Sequence, residues 1–162
     1  EDAAPTKRPR LDAPDEDAPL TSNPKRKVAL LLAYNGAGYS GLQINPDVET
    51  IEKTLEAAIF RAGGISEANH GVLQKVSWSR AGRTDKGVHA AGQIISLKMM
   101  LDPEPMLDRI NEQLEGSGVR LLAYERVNNS FCAHTMCSAR EYEYLLPAGI
   151  LHPSTAPAVP DP

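Results

Sequence analysis

Residues 28–36 read Val-Ala-Leu-Leu-Leu-Ala-Tyr-Asn-Gly, an apolar run that ends at a turn-forming pair. Such a short run bounded by Asn35-Gly36 is typical of a buried strand that enters a turn. The ordered part of the chain is therefore predicted to begin near Val28. The following segment, from Asn35 to Gln43, is a Gly-rich loop with glycines at 36, 38 and 41. No helix begins directly after this loop, which argues against a dinucleotide site.

A helix follows the Gly-rich loop. Asp47 or Thr50 is placed to cap its start, and Gly63-Gly64 stands where a left-handed residue ends a helix. Five apolar residues recur at the spacing of one helical face: Ile51, Leu55, Ala58, Ile59 and Ala62.

Further elements complete a split-βαβ pattern. A second helix is predicted with Asp102 as its N-cap and Pro103 at its first position. The predicted strands are Val72 to Trp78, Val88 to Met99, Val119 to Val127 and Phe131 to Leu146, the last with some irregularity. The order β-α-β-β-α-β with an extra strand indicates an α+β, ferredoxin-like fold: a largely antiparallel sheet with two helices on one face.

Length and composition predict one domain between two tails. The chain has 162 residues, and its 13 prolines concentrate at the two ends. Residues 1–24 carry three basic and six acidic side chains and few large apolar ones, so this stretch is expected to be unfolded. The domain is predicted over residues 25–152, where 14 basic and 14 acidic side chains balance, and a second unfolded tail over 153–162.

Cysteine content and hydropathy indicate in which cellular compartment the protein is expected. Two cysteines do not make a disulfide framework, which favours a reducing, intracellular location. No apolar run approaches the roughly 18–20 residues of a membrane span, and no secretory signal pattern opens the chain.

The chain begins with Glu1 rather than Met, which predicts a processed or missing start. Short basic clusters at residues 7–10 and 24–27 are candidate nuclear-import signals, with a solvated charge run as the alternative.

The segment from Ala81 to His89 is the densest polar cluster of the predicted domain. Arg83, Asp85 and Lys86 lie between two glycines and join two apolar strands. Loops that present charge on a rigid sheet often carry binding or catalysis, although Asp-x-Gly segments are also common turn formers.

This segment, Arg83-Thr84-Asp85-Lys86-Gly87-Val88-His89-Ala90, resembles the signature of the TruA-like tRNA pseudouridine synthases and is most similar to their eukaryotic branch. Three other segments match in the right order: Tyr34-Asn35-Gly36 with residues 39–43, the helix start at residues 50–56, and residues 131–147 with an Arg-x-Tyr-x-Tyr pattern. Together the four segments span about residues 27–147.

The resemblance implies a reaction without cofactor or metal. Uridine in RNA is detached from its ribose at N1, turned and rejoined through C5. Asp85 would be the nucleophile, at C1′ of the ribose or C6 of the base, and Arg83 would take part in flipping the base. Tyr142 would stack on the flipped base, with core packing as the alternative for that residue. If residue 140 onward is a regular strand, Arg140, Tyr142 and Tyr144 share a face.

Other polar residues have weaker assignments. Lys86 and Arg140 are predicted to contact the RNA, and Lys75, Arg80 and Lys98 are further candidate phosphate contacts, with simple solvation as the alternative. His89 is predicted to make a structural hydrogen bond, while His134 departs from the arginine of many bacterial relatives. The pattern Cys132-x-His134-x-x-Cys137 has no evident fourth ligand, and no metal site is predicted.

Three hypotheses follow for function. The first is the Asp-bearing half of an RNA uridine isomerase that acts on tRNA, with messenger and small nuclear RNA as further candidates. The family resemblance also implies a second, similar half that completes the cleft and supplies another basic residue, and residues after 147 do not resemble it. The second hypothesis is a non-catalytic RNA-binding module, for which Trp78 is the main exposed aromatic outside the tyrosines. The third is an inactive fragment with an unpaired sheet edge. Nuclear localisation is expected, with a mitochondrial pool as the alternative.

Overall fold

The computed structural model describes residues 24–101 and 105–151 as a four-stranded antiparallel sheet with helices on both faces. The two predicted tails, except residue 24, and the predicted cap residues Asp102 and Pro103 lie outside this part. The elements are β1 (Lys25–Tyr34), α1 (Ile51–Arg61), β2 (Ser79–Arg80), β3 (Ala90–Met100), α2 (Met106–Gln113), β4 (Val119–Arg126) and α3 (Ala133–Met136), with 3₁₀ turns at Glu67–Asn69, Leu73–Val76 and Ala148–Leu151.

The strand order confirms the predicted α+β, ferredoxin-like plan. The sheet runs β2-β3-β1-β4, and every neighbouring pair is antiparallel. The first strand after α1 and the strand before it are separated by β3, which is the split arrangement expected of two βαβ units. β1 is the centre of the fold because it pairs with β3 along one edge and with β4 along the other.

The core lies between the sheet and helices α1 and α2. Alternate residues of β1 point into it, and the same alternation in β3 brings Ile95, Leu97 and Met99 to that face. The helices contribute residues at helical spacing, all of them buried: Ile51, Leu55, Ala58, Ile59, Met106, Ile110 and Leu114. Short helix α3 covers part of the opposite face, where the backbone N–H of Ala133 donates to Ser96 Oγ on β3.

The ends of α1 follow the sequence signals. The Thr50 side chain accepts a hydrogen bond from the Lys53 backbone at 3.4 Å, as an N-cap does. Gly63, just past the end, has a φ of +86°, the left-handed value that glycine tolerates best. Helix α2 begins later than predicted, at Met106, with Pro105 as the residue before it.

The predicted strand over Val72 to Trp78 is wrong. Leu73–Val76 forms a 3₁₀ turn, and only Ser79 and Arg80 pair with β3. Leu73 and Val76 are three residues apart, so in a 3₁₀ turn they fall on the same side, and Val76 is buried. The apolar spacing therefore matches the period of three of a 3₁₀ turn rather than the period of two of a strand, and Ser77 in the left-handed conformation ends the turn.

The predicted strand over Phe131 to Leu146 is also wrong. The chain forms α3 and then continues without regular structure from Cys137 to Pro147. A strand needs a neighbour whose backbone groups it can pair with. Residues 137–146 make no backbone hydrogen bond to another described segment, so their aromatic and apolar side chains are not enough to form a strand. The predicted shared face of Arg140, Tyr142 and Tyr144 falls with it.

The outer edge of β4 is held by a side chain. Asn111 of α2 donates to the Leu121 carbonyl and accepts from its N–H, both at 2.9 Å. The amide thereby replaces a neighbouring strand at the residue where the pairing of β4 with β1 shifts register. No helix among the described residues is long and apolar enough to cross a membrane.

Candidate functional site

The signature loop, residues 81–88, joins β2 to β3 and packs against the Gly-rich loop backbone to backbone. The Leu42 N–H donates to the Thr84 carbonyl at 3.0 Å, and the Gly87 N–H donates to the Tyr39 carbonyl at 3.3 Å. A Cβ at Gly41 would lie 2.8 Å from the Thr84 oxygen, and one at Gly36 only 2.1 Å from the Val88 oxygen. The two loops can approach this closely only because both positions lack a side chain.

Side chains from three other elements fix the same loop. The hydroxyls of Tyr34 on β1 and Thr84 are 2.8 Å apart, and Gln93 of β3 donates to the Gly82 carbonyl at 3.2 Å. Arg140 Nη2 donates to the Ala81 carbonyl. Burial raises the pKa of Tyr34, so its hydroxyl keeps its proton and can serve as a donor at neutral pH.

His89 makes the structural hydrogen bond that the sequence predicts. Its Nδ1 accepts from the Gly36 N–H at 3.2 Å and so ties the end of the signature loop to the Gly-rich loop. Residues 85–88 form a β-turn in which the Val88 N–H donates to the Asp85 carbonyl, and Gly87 has a φ of +79°. A positive φ at this position is the reason a turn of this type takes glycine.

The fixed backbone presents three exposed charged side chains, Arg83, Asp85 and Lys86. None of the three has a hydrogen-bond or ion-pair partner among the described residues. A rigid backbone with unpartnered charges is the usual architecture of a binding or catalytic site, because the side chains remain available for a ligand.

A groove of about 900 Å³ lies beside the signature loop, between β2 and the segment that follows β4. Among the predicted site residues, Arg83, Arg140 and Tyr142 line it, whereas Asp85 and Lys86 do not. Lys27 and Arg80 add two further basic groups, and no carboxylate is part of the lining. The remaining walls are Ser77, Trp78, Ser79, Gly82, Asn129, Ser130, Phe131, Cys132 and His134.

The groove combines cations with aromatic rings. Tyr142 is 78% exposed, Trp78 is partly buried, and Phe131 is the third aromatic ring in the lining. Positive charge that tracks a phosphate backbone, with rings on which bases stack, is the composition of a site for single-stranded nucleic acid. Tyr144 is 84% exposed and does not line the groove.

Comparison with known proteins identifies the family. The chain is 48% identical over 144 residues to tRNA pseudouridine synthase 1 of Candida glabrata and 48% identical over 147 residues to that of Saccharomyces cerevisiae. It is 44% identical over 142 residues to the pseudouridylate synthase 1 homolog of the mouse. The chain belongs to the TruA-like tRNA pseudouridine synthase family.

The match covers most of this chain and a minor part of each relative. It includes 87%, 90% and 85% of the chain against the Candida, Saccharomyces and mouse proteins, respectively. The same alignments span 26%, 27% and 33% of those relatives, so the chain corresponds to between a quarter and a third of their length. A scan against protein-family profiles finds no match.

In this member of the synthase family, the strand leading into the signature loop is anchored by Glu52, which sequence patterns did not single out as a site residue. Its carboxylate is fully buried and accepts both Arg80 Nε and, at 2.9 Å, Arg80 Nη2. Trp78 Nε1 and the Ile44 N–H donate to the same group at 2.8 and 3.1 Å. Arg80 was predicted as a candidate phosphate contact, but its charge is already engaged by Glu52.

The other candidate phosphate contacts differ in availability. Lys75 Nζ donates to the Ala68 carbonyl at 2.9 Å. Burial lowers the pKa of Lys27, the nearby Cys132 opposes this shift, and the charge of Lys98, which is half-buried on β3, adds to it. Lys27 Nζ donates to the Ser77 carbonyl at 2.8 Å, so the last residue of the second basic cluster is buried rather than free.

The Cys-x-His-x-x-Cys segment is split between separate partners. Cys132 Sγ lies 3.2 Å from Ser79 Oγ, and Cys137 Sγ donates to the Ala139 carbonyl at 3.3 Å. Within residues 24–101 and 105–151, no group of three or more His, Cys, Asp or Glu side chains is arranged to hold a metal ion. Hydrogen bonds from Ser79 first, and then from Thr135 and the His134 N–H, lower the pKa of the Cys132 thiol to about 6.

Proposed function

We propose that this chain carries the nucleophile of an enzyme that converts uridine to pseudouridine in tRNA. The reaction breaks the bond between ribose C1′ and base N1, rotates the base and joins C1′ to C5. The hydrogen leaves C5 as a proton and N1 gains one, so atoms and charge balance without a cofactor. Asp85 is the group that forms the transient bond to the substrate.

The carrying observation is the way the signature loop is fixed. The loop is held by hydrogen bonds to four separate segments, three of them to its backbone and one to the Thr84 side chain, while the Asp85 carboxylate remains unpartnered and exposed. A nucleophile must be held near its attacking geometry to gain the advantage of orientation. A solvated surface turn would not need a clamp from so many directions.

The groove supports base flipping. Arg83 of the signature loop and Tyr142 both line the groove. A uridine that leaves the stack costs a few kcal/mol, and stacking on an aromatic side chain returns about 1–3 kcal/mol. In this proposal Arg83 fills the space that the flipped base leaves in the stack, and Tyr142 stacks on the flipped base itself. Lys86 contacts a phosphate.

Arg140 has a double role in the proposal. One nitrogen, Nη2, supports the Ala81 carbonyl, and the guanidinium also lines the groove. A residue at position 82 with a Cβ would come within 3.0 Å of Arg140 Nε, so Gly82 makes room for it. The remaining N–H groups are oriented by that contact and are available to RNA phosphate.

The direct test is tritium release from tRNA labelled at uridine C5, because formation of the new bond expels that hydrogen. The chain is expected to release tritium, Asp85→Asn is expected to release none while binding tRNA as before, and Asp47→Asn serves as the control. Asp47 is another exposed aspartate and lies outside both the signature loop and the groove. Release by Asp85→Asn would contradict the role of Asp85, and no release by the unaltered chain would contradict the activity of this chain without the second half. Binding without release would favour the RNA-binding module.

The stacking role has its own test. Tyr142→Phe keeps the ring and is expected to retain activity, whereas Tyr142→Ala should weaken turnover by the factor that about 1–3 kcal/mol represents, from roughly fivefold to more than a hundredfold. Tyr144→Ala is the matched control because Tyr144 is equally exposed but outside the groove. Equal losses from the two alanine variants would argue against stacking.

We also propose that the protein acts in the nucleus, with messenger and small nuclear RNA as further substrates and a mitochondrial pool as the alternative. The basic cluster at residues 7–10 carries this proposal, since Lys27 of the second cluster is buried. Replacing Lys7, Arg8 and Arg10 by Ala in a fluorescent fusion should abolish nuclear accumulation. Unchanged accumulation would contradict the assignment.

A further inference from the structure

A second, separate depression of about 360 Å³ lies where β1 ends and where β3 and β4 begin. We call it the Arg120 pocket. It shares no lining residue with the 900 Å³ groove. Its lining residues are Ala33, Tyr34, Asn35, His89, Ala90, Gly118 and Arg120.

The lining of the Arg120 pocket is rich in donors. His89 Nδ1 accepts the Gly36 N–H, so the neutral imidazole carries its proton on Nε2, and that nitrogen is a donor. Asn35 Oδ1 accepts the Ala37 N–H at 3.0 Å, which leaves the Asn35 NH₂ group to donate. Arg120 is exposed and adds a guanidinium with no ion-pair partner within 4 Å in the described part of the chain.

The backbone holds these three groups in place. Arg120 pairs with Ala33 in the sheet, and the Asn35 N–H donates to the Gly118 carbonyl at 2.8 Å. No carboxylate lines the pocket. Asp108, Glu112 and Glu115 border a different depression that Arg120 also lines, and they are the competing partners for its charge.

We infer that the Arg120 pocket binds a phosphate group. Three neutral or cationic donors in a lining without a carboxylate match an anion with several oxygens, and a guanidinium is suited to bind two of those oxygens at once. The depression is shallow and open to solvent, and the small side chains of Ala33 and Ala90 in its lining leave room for one tetrahedral oxyanion.

The ligand we assign is a phosphodiester of the RNA substrate, and this part of the inference rests on the proposed function. His89 is four residues from Asp85 and ends the same signature loop. A backbone phosphate held at the Arg120 pocket would therefore fix the RNA strand on the side of the signature loop away from the groove. Two anchoring points on either side of one loop hold the strand in register, as phosphate contacts generally do.

The first experiment uses inorganic phosphate as the probe and does not depend on activity. Amide and side-chain ¹H–¹⁵N spectra of the 162-residue chain are recorded as phosphate replaces chloride at constant ionic strength. We expect saturable shifts at His89 Nε2 and at the Asn35 side chain. Arg120→Gln should weaken the binding roughly tenfold or more, the effect of one lost charged hydrogen bond. Arg126→Gln is the control, an exposed arginine on the same strand outside the pocket.

The second experiment measures RNA affinity against salt concentration. Each phosphate contact in a single strand contributes about 0.7 to the slope of log affinity against log salt. Arg120→Gln should lower the slope by about that amount, and Arg126→Gln should not. Absence of saturable phosphate shifts, for example because Arg120 pairs with Glu112 or Glu115, overturns the site.

The two experiments separate the possible failures. Phosphate binding with an RNA slope that Arg120→Gln leaves unchanged overturns the RNA assignment. If the Asp85→Asn comparison fails while phosphate still binds, the proposed function falls and the anion site stands.

Discussion

The two regions that supply the predicted site residues are built in opposite ways. The signature loop, residues 81–88, is held by backbone and side-chain hydrogen bonds from the Gly-rich loop, β1, β3 and Arg140. The segment from Cys137 to Pro147 has no regular structure, and its link to the signature loop is the Arg140 hydrogen bond to Ala81.

The two regions match the family for different reasons: the first through residues that its backbone geometry requires, and the second through exposed side chains. In the signature loop the glycines are required by close approach and by positive φ, so the motif follows from local geometry. In the segment 137–147 the side chains that match the family are exposed, Tyr142 by 78% and Tyr144 by 84%. Packing among the described residues therefore does not account for the family match in this segment.

The largest expected effect breaks the anchor at the entrance of the signature loop. Glu52→Gln leaves the Arg80 guanidinium half-buried without its counter-charge, and loss of one partner from a buried pair costs about 3–5 kcal/mol. The midpoint of urea unfolding should fall accordingly. Glu49→Gln is the control, since its pair with Lys53 is exposed and contributes less than about 1 kcal/mol. Similar losses of stability in the two variants would mean that the buried pair of Glu52 and Arg80 stabilises the fold no more than an exposed pair does.

The next effect tests the contact between the two loops. Gly36→Ala places a methyl group 2.1 Å from the Val88 carbonyl oxygen, and forcing extra atoms into a packed contact costs about 1–3 kcal/mol. Gly92→Ala meets nothing closer than 3.5 Å, at Leu31 Cδ1, and should change stability by less than about 0.5 kcal/mol. A neutral Gly36→Ala variant would show that the signature loop is not held against the Gly-rich loop.

A smaller effect concerns the segment 137–147, which has no regular structure. Arg140→Ala removes one hydrogen bond, worth about 1 kcal/mol, and with it the link between the segment 137–147 and the signature loop. Cleavage by a glutamate-specific protease after Glu141 and Glu143 should then be faster, while the unfolding midpoint changes little. Arg126→Ala controls for loss of an exposed arginine. Identical cleavage rates in Arg140→Ala and the unaltered chain would refute the link.

The smallest effect involves no stability change and reports on the groove between the two regions. The pKa of Cys132 is lowered to about 6, so its thiolate fraction rises through that pH and is nearly complete at neutral pH. Its alkylation by iodoacetamide should therefore level off above about pH 7. Ser79→Ala removes the main hydrogen bond and should move the plateau to higher pH. A plateau that is unchanged in Ser79→Ala would exclude this cause.

How much the sequence predicts depends on whether the relevant contacts are local. β1, β3, β4 and α1 are found to within two or three residues because strand alternation, helical spacing and capping residues are local signals. The segment 72–78 was missed because a period of three and a period of two are hard to distinguish over so few residues. The prediction of a strand over residues 131–146 is wrong because a strand needs a neighbouring strand to pair with, and local sequence does not show whether one is present.

The candidate site shows the same division. The exposed charges of the signature loop and the structural role of His89 follow from the motif. The support of the loop does not, because Tyr34 and Thr84 are 50 residues apart, and Glu52 and Arg80 are 28 residues apart. No spacing rule links such pairs, so the clamp and the Arg120 pocket become visible only in three dimensions.

The hydrogen bond between the hydroxyls of Tyr34 and Thr84 has a consequence for the fraction of molecules ready to react. If the signature loop opened freely, only the closed fraction would bind substrate, and the apparent dissociation constant would rise in inverse proportion to it. A loop closed one-tenth of the time would bind about ten times more weakly, with every contacting side chain intact. Tyr34 therefore affects the affinity for a ligand through the loop as well, because its hydrogen bond to Thr84 keeps the closed population near unity.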